Sequence, residues 1–301
     1  MPYVDLPSRN LRQYYVINPD YSADTSMSIK TPPPPSRDSI DPDKPVLVLT
    51  HAGTSSSNSF IHQFRDPRLS NALNLVCFDS RYYGRTEGPR LDHYQDLEER
   101  ADELLDAIDA VVGDRPFSYL GESFVKAVIL ISPSWTTDPP EMIDILEREW
   151  APLASANKFG KGDGTGRIPD EAMAIARDYF FSGSNLEPER QEGFLRQYQE
   201  THGPGEDMFK LEQLTHWFKR SEPSKELFAG VRCPVLLLGG TLDTQVSGSD
   251  ALQQWHNLLV SAPEADKRIE RIVDGPHLLA TTNPNIVNRF VLCFLKRYNL
   301  V

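Results

Sequence analysis

Four short runs of apolar residues constrain the fold of this chain more than any other feature of its sequence. The runs are PVLVLT at 45–50, NLVCFD at 74–79, VKAVILIS at 125–132 and PVLLLGG at 234–240. A continuous apolar run of this length is typical of a strand buried on both faces, as in a parallel sheet covered by helices. Helical segments separate the runs. The sequence therefore predicts an α/β fold with a doubly wound, mostly parallel sheet.

Two segments outside these runs have sequence patterns that predict their local structure. Apolar residues recur at helical spacing across 94–112, which predicts an amphipathic helix, and Gly113 suits the left-handed position that often ends a helix. Residues 31–44 contain four consecutive prolines, which fix φ and remove hydrogen-bond donors. We predict an exposed loop there, with a polyproline segment that docks on a partner as the alternative.

The span 136–226 differs from the rest of the chain, because it contains helical patterns and no buried-strand run. It reads as an inserted helical layer. We therefore expect three parts: residues 1–135 as the first half of the sheet domain, 136–226 as the helical insertion, and 227–301 as the remainder of the sheet domain.

The composition limits the kinds of partner. The formal net charge of −12 argues against a nucleic acid or an anionic membrane, which need an excess of Lys and Arg on one face. The N-terminal residues lack a basic and an apolar leader region, and no apolar run reaches the about 18 residues of a membrane span, so a cytoplasmic location is expected. The three widely spaced cysteines read as reduced core residues. No metal or other cofactor is predicted, and the oligomeric state stays open.

Three short segments contain residues that could take part in catalysis. Gly121-Glu122-Ser123 follows a strand-like run, Asp243 follows the fourth buried run, and His277 follows a short strand and a turn. Each has an ordinary structural reading by itself: a chance match to half of a G-x-S-x-G motif, a turn former, and a histidine in the core.

Taken together, the three residues indicate a catalytic triad. In one class of hydrolases the order along the chain is Ser, then Asp or Glu, then His, each just beyond the carboxyl end of a strand, because three loops must meet at one edge of the sheet. Ser123, Asp243 and His277 satisfy both conditions. His277 would accept the proton of Ser123, and Asp243 would orient the imidazole and stabilise its charged form.

With these residues the sequence resembles the α/β-hydrolase superfamily, in its lid-bearing branch. The matching segments are HAGT at 51–54, FDSRYYGRTEG at 78–88, GES at 121–123, GGTLD at 239–243 and GPH at 275–277. The resemblance extends from about residue 44 to the end of the chain. It implies an α/β-hydrolase fold in which 136–226 forms a helical cap. It also implies an oxyanion hole made by a backbone N–H near Gly53, or that of Thr54, together with the N–H of Phe124.

The resemblance also restricts the substrate. Serine as nucleophile argues against the epoxide hydrolases and haloalkane dehalogenases of this superfamily, which use Asp, and leaves an ester, thioester, lactone or amide. Aromatic residues in the cap favour an apolar acyl or ring portion, although such residues commonly pack the cap onto the core. They are Trp150, Phe180, Phe181, Phe209, Trp217 and Phe218. Two alternatives stay open: a catalytically inactive ligand-binding protein, and an enzyme that cleaves a C–C bond.

One segment departs from the family pattern. Members of the family have a helix of a dozen or more residues directly after the nucleophile, whereas here Ser123 and Phe124 run straight into VKAVILIS. A parallel neighbour requires a crossover of about ten residues or more. Residues 117–132 then form one long strand, form an irregular antiparallel pair, or belong to a truncated or mis-spliced chain that lacks its central helix. We favour the third interpretation, which predicts a weakly active or inactive chain.

Overall fold

The strands and helices of the predicted α/β fold are present in a computed structural model of the chain. The structure describes residues 2–21, 30–51, 53, 55–118, 126–138, 140, 170–181, 188–202, 210, 213, 216–217, 223, 225–243 and 248–301. The strands are β1 Tyr3–Leu6, β2 Leu11–Ile17, β3 Val46–Thr50, β4 Asn74–Phe78, β5 Phe117–Ser118, β6 Val128–Ile131, β7 Val235–Gly240 and β8 Lys267–Ile272. The helices are α1 Ile61–Phe64, α2 Pro67–Ser70, α3 Leu97–Val112, α4 Asp170–Phe181, α5 Pro188–His202, α6 Ser249–Leu258, α7 Leu279–Thr282 and α8 Pro284–Arg297. Within these ranges no helix is long and apolar enough to cross a membrane.

The strands form two sheets of mainly parallel strands. The first has the order β1-β2-β4-β3-β5, and the second has the order β6-β7-β8. The hairpin of β1 and β2 joins the first sheet by antiparallel pairing of β2 with β4, while β3 runs parallel to both β4 and β5. In the second sheet all pairs are parallel. The prediction of a doubly wound, mostly parallel sheet is confirmed, and each apolar run contains one of its strands.

Helices cover both faces of the first sheet, which explains why its central strands read as continuous apolar runs. On one face Leu47 and Leu75 pack in a cluster with residues of α1, α2 and α8. On the other face Val48 and Val76 pack with residues of α3, including Ile108. The first cluster also contains residues of β7 and β8. This cluster therefore joins the two sheets on one face.

The division into two sheets lies between β5 and β6, where the family pattern breaks. Ser118 ends β5 and Val128 begins β6, so the nine residues 119–127 connect them. β5 pairs with β3 and β6 pairs with β7, and Lys126 N donates a hydrogen bond to Phe117 O at 2.9 Å. Residues 119–125, on which the three interpretations of this segment differ, lie outside the described residues. Nine residues are fewer than the dozen or so of an ordinary parallel crossover. This agrees with the short connection noted in the sequence, and β6 still lies beside β7.

Helix α3 begins three residues later than the apolar spacing predicts, and its N-cap explains the difference. The Asp96 side chain accepts a hydrogen bond from Glu99 N at 2.8 Å, and the Glu99 carboxylate accepts one from Asp96 N at 3.1 Å. This reciprocal capping box satisfies backbone donors that the first turn of a helix leaves unpaired. Capping chemistry, rather than apolar spacing, thus determines the first residue of α3.

The reading of all three cysteines as core residues is wrong for one of them. None forms a disulfide; Cys77 is buried and Cys233 half-buried, but Cys293 is exposed. Cys293 lies in α8, where neighbours along the chain point to different sides of the helix, whereas Cys77 lies in a strand covered on both faces. An apolar run in a helix therefore does not imply burial of each member.

We expect Gly113→Ala to lower the free energy of unfolding by about 1–3 kcal/mol. Gly113 ends α3 at φ 67° and ψ −151°, a conformation nearly restricted to glycine, although an added Cβ would meet no atom within 4 Å. The loss would therefore come from backbone strain alone. Gly230→Ala is the matched control, because its Cβ also has free space and its φ is not positive. Urea unfolding of both variants tests this, and equal midpoints would contradict it.

Candidate active site

The loops that follow β7 and β8 are held against each other. Leu242 N donates a hydrogen bond to Gly275 O at 2.9 Å, and Asp274 N donates one to Thr241 Oγ1 at 2.9 Å. A Cβ on Gly240 would lie only 1.9 Å from Gly275 O, so the approach of the two backbones requires glycine at this position. This close packing sets the separation of the side chains that the two loops carry.

Asp243 and His277, the predicted acid and base, are brought together by these loops. His277 Nδ1 lies 2.8 Å from Asp243 Oδ2, and the side chains are 12% and 2% exposed, respectively. An ionised carboxylate only accepts hydrogen bonds, so Nδ1 is the donor and Nε2 is the ring atom that can take up a proton. The Phe180 ring of α4 stacks on His277 with ring centroids 6.2 Å apart. The pair is therefore oriented as a carboxylate–imidazole base requires.

Of the other predicted site residues, the structure describes only one. Ser123, the predicted nucleophile, and Thr54 and Phe124, the predicted oxyanion donors, lie outside the described residues. Gly53 is described and lies in a turn just after the carboxyl end of β3. The structure thus brings together two of the three residues that the sequence predicts as a triad.

A buried carboxylate that the sequence did not single out organises the loops after β3 and β4. Asp79 Oδ1 accepts a hydrogen bond from Ser57 N at 2.6 Å, and its Oδ2 accepts one from Arg85 N at 2.9 Å. Burial raises the pKa of Asp79, and these two hydrogen bonds oppose that rise. Gly84, at φ +57°, passes so close that a Cβ would overlap the carboxylate. In the sequence, the spacing of Asp79 and Gly84 in FDSRYYG was the signal that could have indicated this contact.

His51, which follows β3, has a structural contact in the same region. Its Nε2 accepts a hydrogen bond from Ser80 N at 2.9 Å, and its ring packs edge-on against Tyr83. The bond ties the loop after β3 to the loop after β4. The sequence matched His51 to a family motif but did not predict this partner.

Helices inserted between β6 and β7 contact the sheet edge where His277 lies. Besides the Phe180 stack, Gln197 Nε2 of α5 donates to Ser56 Oγ at 2.6 Å, and Trp217 Nε1 donates to Gln95 O at 2.8 Å. Of the six aromatic residues noted in 136–226, Phe180, Phe181 and Trp217 are buried, and the other three lie outside the described residues. Phe180 and Phe181 both pack on Phe194, so they hold α4 to α5.

Comparisons with known proteins give similarity in structure alone. No family profile and no curated protein sequence matches the chain. A putative lipase from Acinetobacter baumannii AYE is 15% identical with a TM-score of 0.69, over 99% of this chain and 91% of that one. An enol-lactonase from Burkholderia xenovorans LB400 is 15% identical with a TM-score of 0.66, over 98% of this chain and 100% of that one. A carboxylesterase from Bacillus subtilis is 16% identical with a TM-score of 0.65, over 97% of this chain and 90% of that one. These proteins share one architecture, and this chain has the α/β-hydrolase fold.

Proposed function

We propose that this chain is a serine hydrolase of a small ester, thioester or lactone, with low turnover in its present form. The observation that carries the proposal is the part-buried hydrogen bond between His277 Nδ1 and Asp243 Oδ2, 2.8 Å long, in the loops after two neighbouring parallel strands. The similarity in fold to an esterase, a lipase and a lactonase supports the same reaction class. Ser123 is the proposed nucleophile.

In the proposed mechanism, Ser123 Oγ attacks the carbonyl carbon of the substrate while its proton passes to His277 Nε2. Collapse of the tetrahedral intermediate breaks the bond to the leaving alcohol or thiol, which receives that proton from His277. Water then attacks the acyl-enzyme through the same base, and the carboxylic acid leaves. Asp243 keeps the imidazole in the required tautomer and stabilises its cation. Backbone N–H groups near Gly53 and Phe124 would hold the developing oxyanion.

We further propose that 136–226 acts as a cap over this site and that the substrate carries an apolar acyl or ring portion. The stack of Phe180 on His277 supports the cap, because it covers the proposed base with an apolar ring. Division of the sheet domain into 1–135 and 227–301 is part of the same proposal. A cytoplasmic location stays a prediction.

The proposed low turnover follows from the connection between β5 and β6. Nine residues, 119–127, leave no room for the helix of a dozen or more residues that family members place after the nucleophile. Such a helix presents its N-terminal N–H groups and the positive end of its dipole to a developing anion. Without it, the N–H of Phe124 would be a poorer donor to the oxyanion.

A fluorophosphonate probe separates a serine hydrolase from a binding protein without catalytic activity, because it labels only an activated serine. We expect slow, saturable labelling of Ser123, detected by peptide mass spectrometry and absent in Ser123→Ala. Asp243→Asn should slow labelling by up to about 10⁴-fold. Asp274→Asn is the matched control, because this aspartate lies in the same loop as His277 and is exposed. No labelling of the folded chain would favour the ligand-binding alternative.

A further inference from the structure

Strand β8, Lys267–Ile272, lies at one end of the second sheet. In the part of the chain that the structure describes, it pairs with β7 on one side and with no strand on the other. An edge strand presents unpaired backbone N–H and C=O groups, to which another chain can add a strand. Two apolar side chains are exposed here: Ile269, within the strand, is 36% exposed, and Val273, directly after it, is 72% exposed. β8 is therefore a candidate interaction surface.

One face of β8 carries a basic and an acidic side chain next to each other. Residues two apart in a strand share a face, and Arg268 Nη2 donates a hydrogen bond to Glu270 Oε1 at 2.8 Å. The two side chains are 39% and 27% exposed. Charged residues on an edge strand commonly prevent pairing with another chain. Here, however, the two signs differ, so this edge favours a partner strand that carries the same two charges in the opposite order.

A second copy of β8 that runs antiparallel supplies this order. When Ile269 of one copy lies opposite Ile269 of the other, each Arg268 lies opposite Glu270 of the other copy. Directly opposite residues of an antiparallel pair share a face, and opposite charges at such positions stabilise the pair. Registers centred on Arg268 or on Glu270 place two identical charges opposite each other, which is destabilising. Charge complementarity therefore selects the register centred on Ile269.

The other face of β8 carries Lys267 and Arg271, which lie opposite each other in this register. Both are engaged within their own chain. Lys267 Nζ lies 2.6 Å from Glu264 Oε2 and donates to His256 O at 3.3 Å, and the Lys267 side chain is 7% exposed. Arg271 Nη2 donates to Gly240 O at 2.8 Å. Because Glu264 neutralises Lys267, the repulsion between the two basic positions is small.

We propose that two copies of this chain pair edge to edge through β8 and form a symmetric dimer in which the sheet continues from one chain into the other. The two strands run antiparallel, with Ile269 at the two-fold axis. The interface is isologous, as is usual in homodimers. A strand of six residues makes a small interface, so we expect a weak dimer with a Kd of about 1–100 µM. Dimer formation requires neither Ser123 nor the proposed hydrolysis.

Sedimentation velocity of the full chain, at concentrations from about 1 to 500 µM, tests the dimer. We expect a reversible equilibrium between monomer and dimer. Ile269→Lys places two like charges at the two-fold axis and should weaken association at least about tenfold. Leu97→Lys is the matched control, because Leu97 is 44% exposed but lies in α3, which packs on the first sheet. This variant should associate like the unaltered chain.

Two charge-reversal variants test the register. Arg268→Glu places acidic residues of one copy opposite acidic residues of the other, and Glu270→Arg does the same with basic residues. Each variant by itself should therefore be monomeric. An equimolar mixture of the two should form a heterodimer, because all of these cross-strand pairs then have opposite charges. Native mass spectrometry, with one variant ¹⁵N-labelled, distinguishes the heterodimer from either homodimer.

Three results would overturn the proposal. The first is a monomer throughout the concentration series of the unaltered chain, a result that needs no variant to fold. The second is a dimer that persists in Ile269→Lys, and the third is a mixture of the charge-reversal variants that stays monomeric while far-UV circular dichroism shows both to be folded. Fluorophosphonate labelling of Ser123 should be equal in monomeric variants and the unaltered chain, so the dimer and the proposed hydrolysis are tested separately.

Discussion

Insertion of an amphipathic helix of about fifteen residues after Phe124 is expected to raise kcat for p-nitrophenyl butyrate by about 10²- to 10³-fold, the effect typical of one oxyanion donor. The insertion lengthens the connection 119–127 enough for a parallel crossover between β5 and β6. It would place the N–H of Phe124 at a helix N-terminus, where the donor is oriented and the dipole favours an anion. Initial rates of p-nitrophenol release measure the change.

Two controls make the insertion experiment specific. A Gly/Ser segment of equal length in the same place should leave kcat near that of the parent chain, because it lengthens the connection without forming a helix. The helix insertion combined with Ser123→Ala should abolish turnover. If the parent chain already turns over this ester at 1 s⁻¹ or more, within the ordinary range of enzymes, the proposal of an impaired nucleophile is wrong.

Glu103→Leu is expected to lower the free energy of unfolding by about 3–5 kcal/mol, because it leaves a buried guanidinium without its counterion. Arg81 Nη2 lies 2.6 Å from Glu103 Oε1, and the side chains are 2% and 8% exposed. The same guanidinium donates to Arg9 O at 2.7 Å, so it joins α3 to the loops after β1 and β4. Urea unfolding at pH 7 measures the loss.

The matched control is Glu87→Leu. Glu87 pairs with Arg12 at 3.1 Å, but the side chains are 58% and 43% exposed. Water screens such a pair, so its loss should cost less than about 1 kcal/mol. The double variant Arg81→Met/Glu103→Leu should recover part of the loss, since an apolar pair can replace a buried ion pair. Equal losses for Glu103→Leu and Glu87→Leu would show that burial does not determine the strength of this ion pair.

Local patterns were enough to predict the buried central strands and the order of the proposed catalytic residues. Burial on both faces leaves an apolar run, so β3, β4 and β7 could be read directly from the sequence, within one residue of their observed bounds. Asp243 and His277 each follow a strand, and parallel strands bring the residues after their carboxyl ends to one edge. Their hydrogen bond agrees with that reasoning. Ser123 stays a prediction.

Only the tertiary structure decided the features that depend on residues distant along the chain. The order of the strands and the partners of Asp79 and Arg81 belong to this group. Sequence periodicity indicates which face of one element is apolar, but not which strands lie side by side or which backbone N–H groups bind a buried carboxylate. Edge pairing and buried polar contacts arise when separate segments pack, so their positions are set by the assembled core rather than by any one segment.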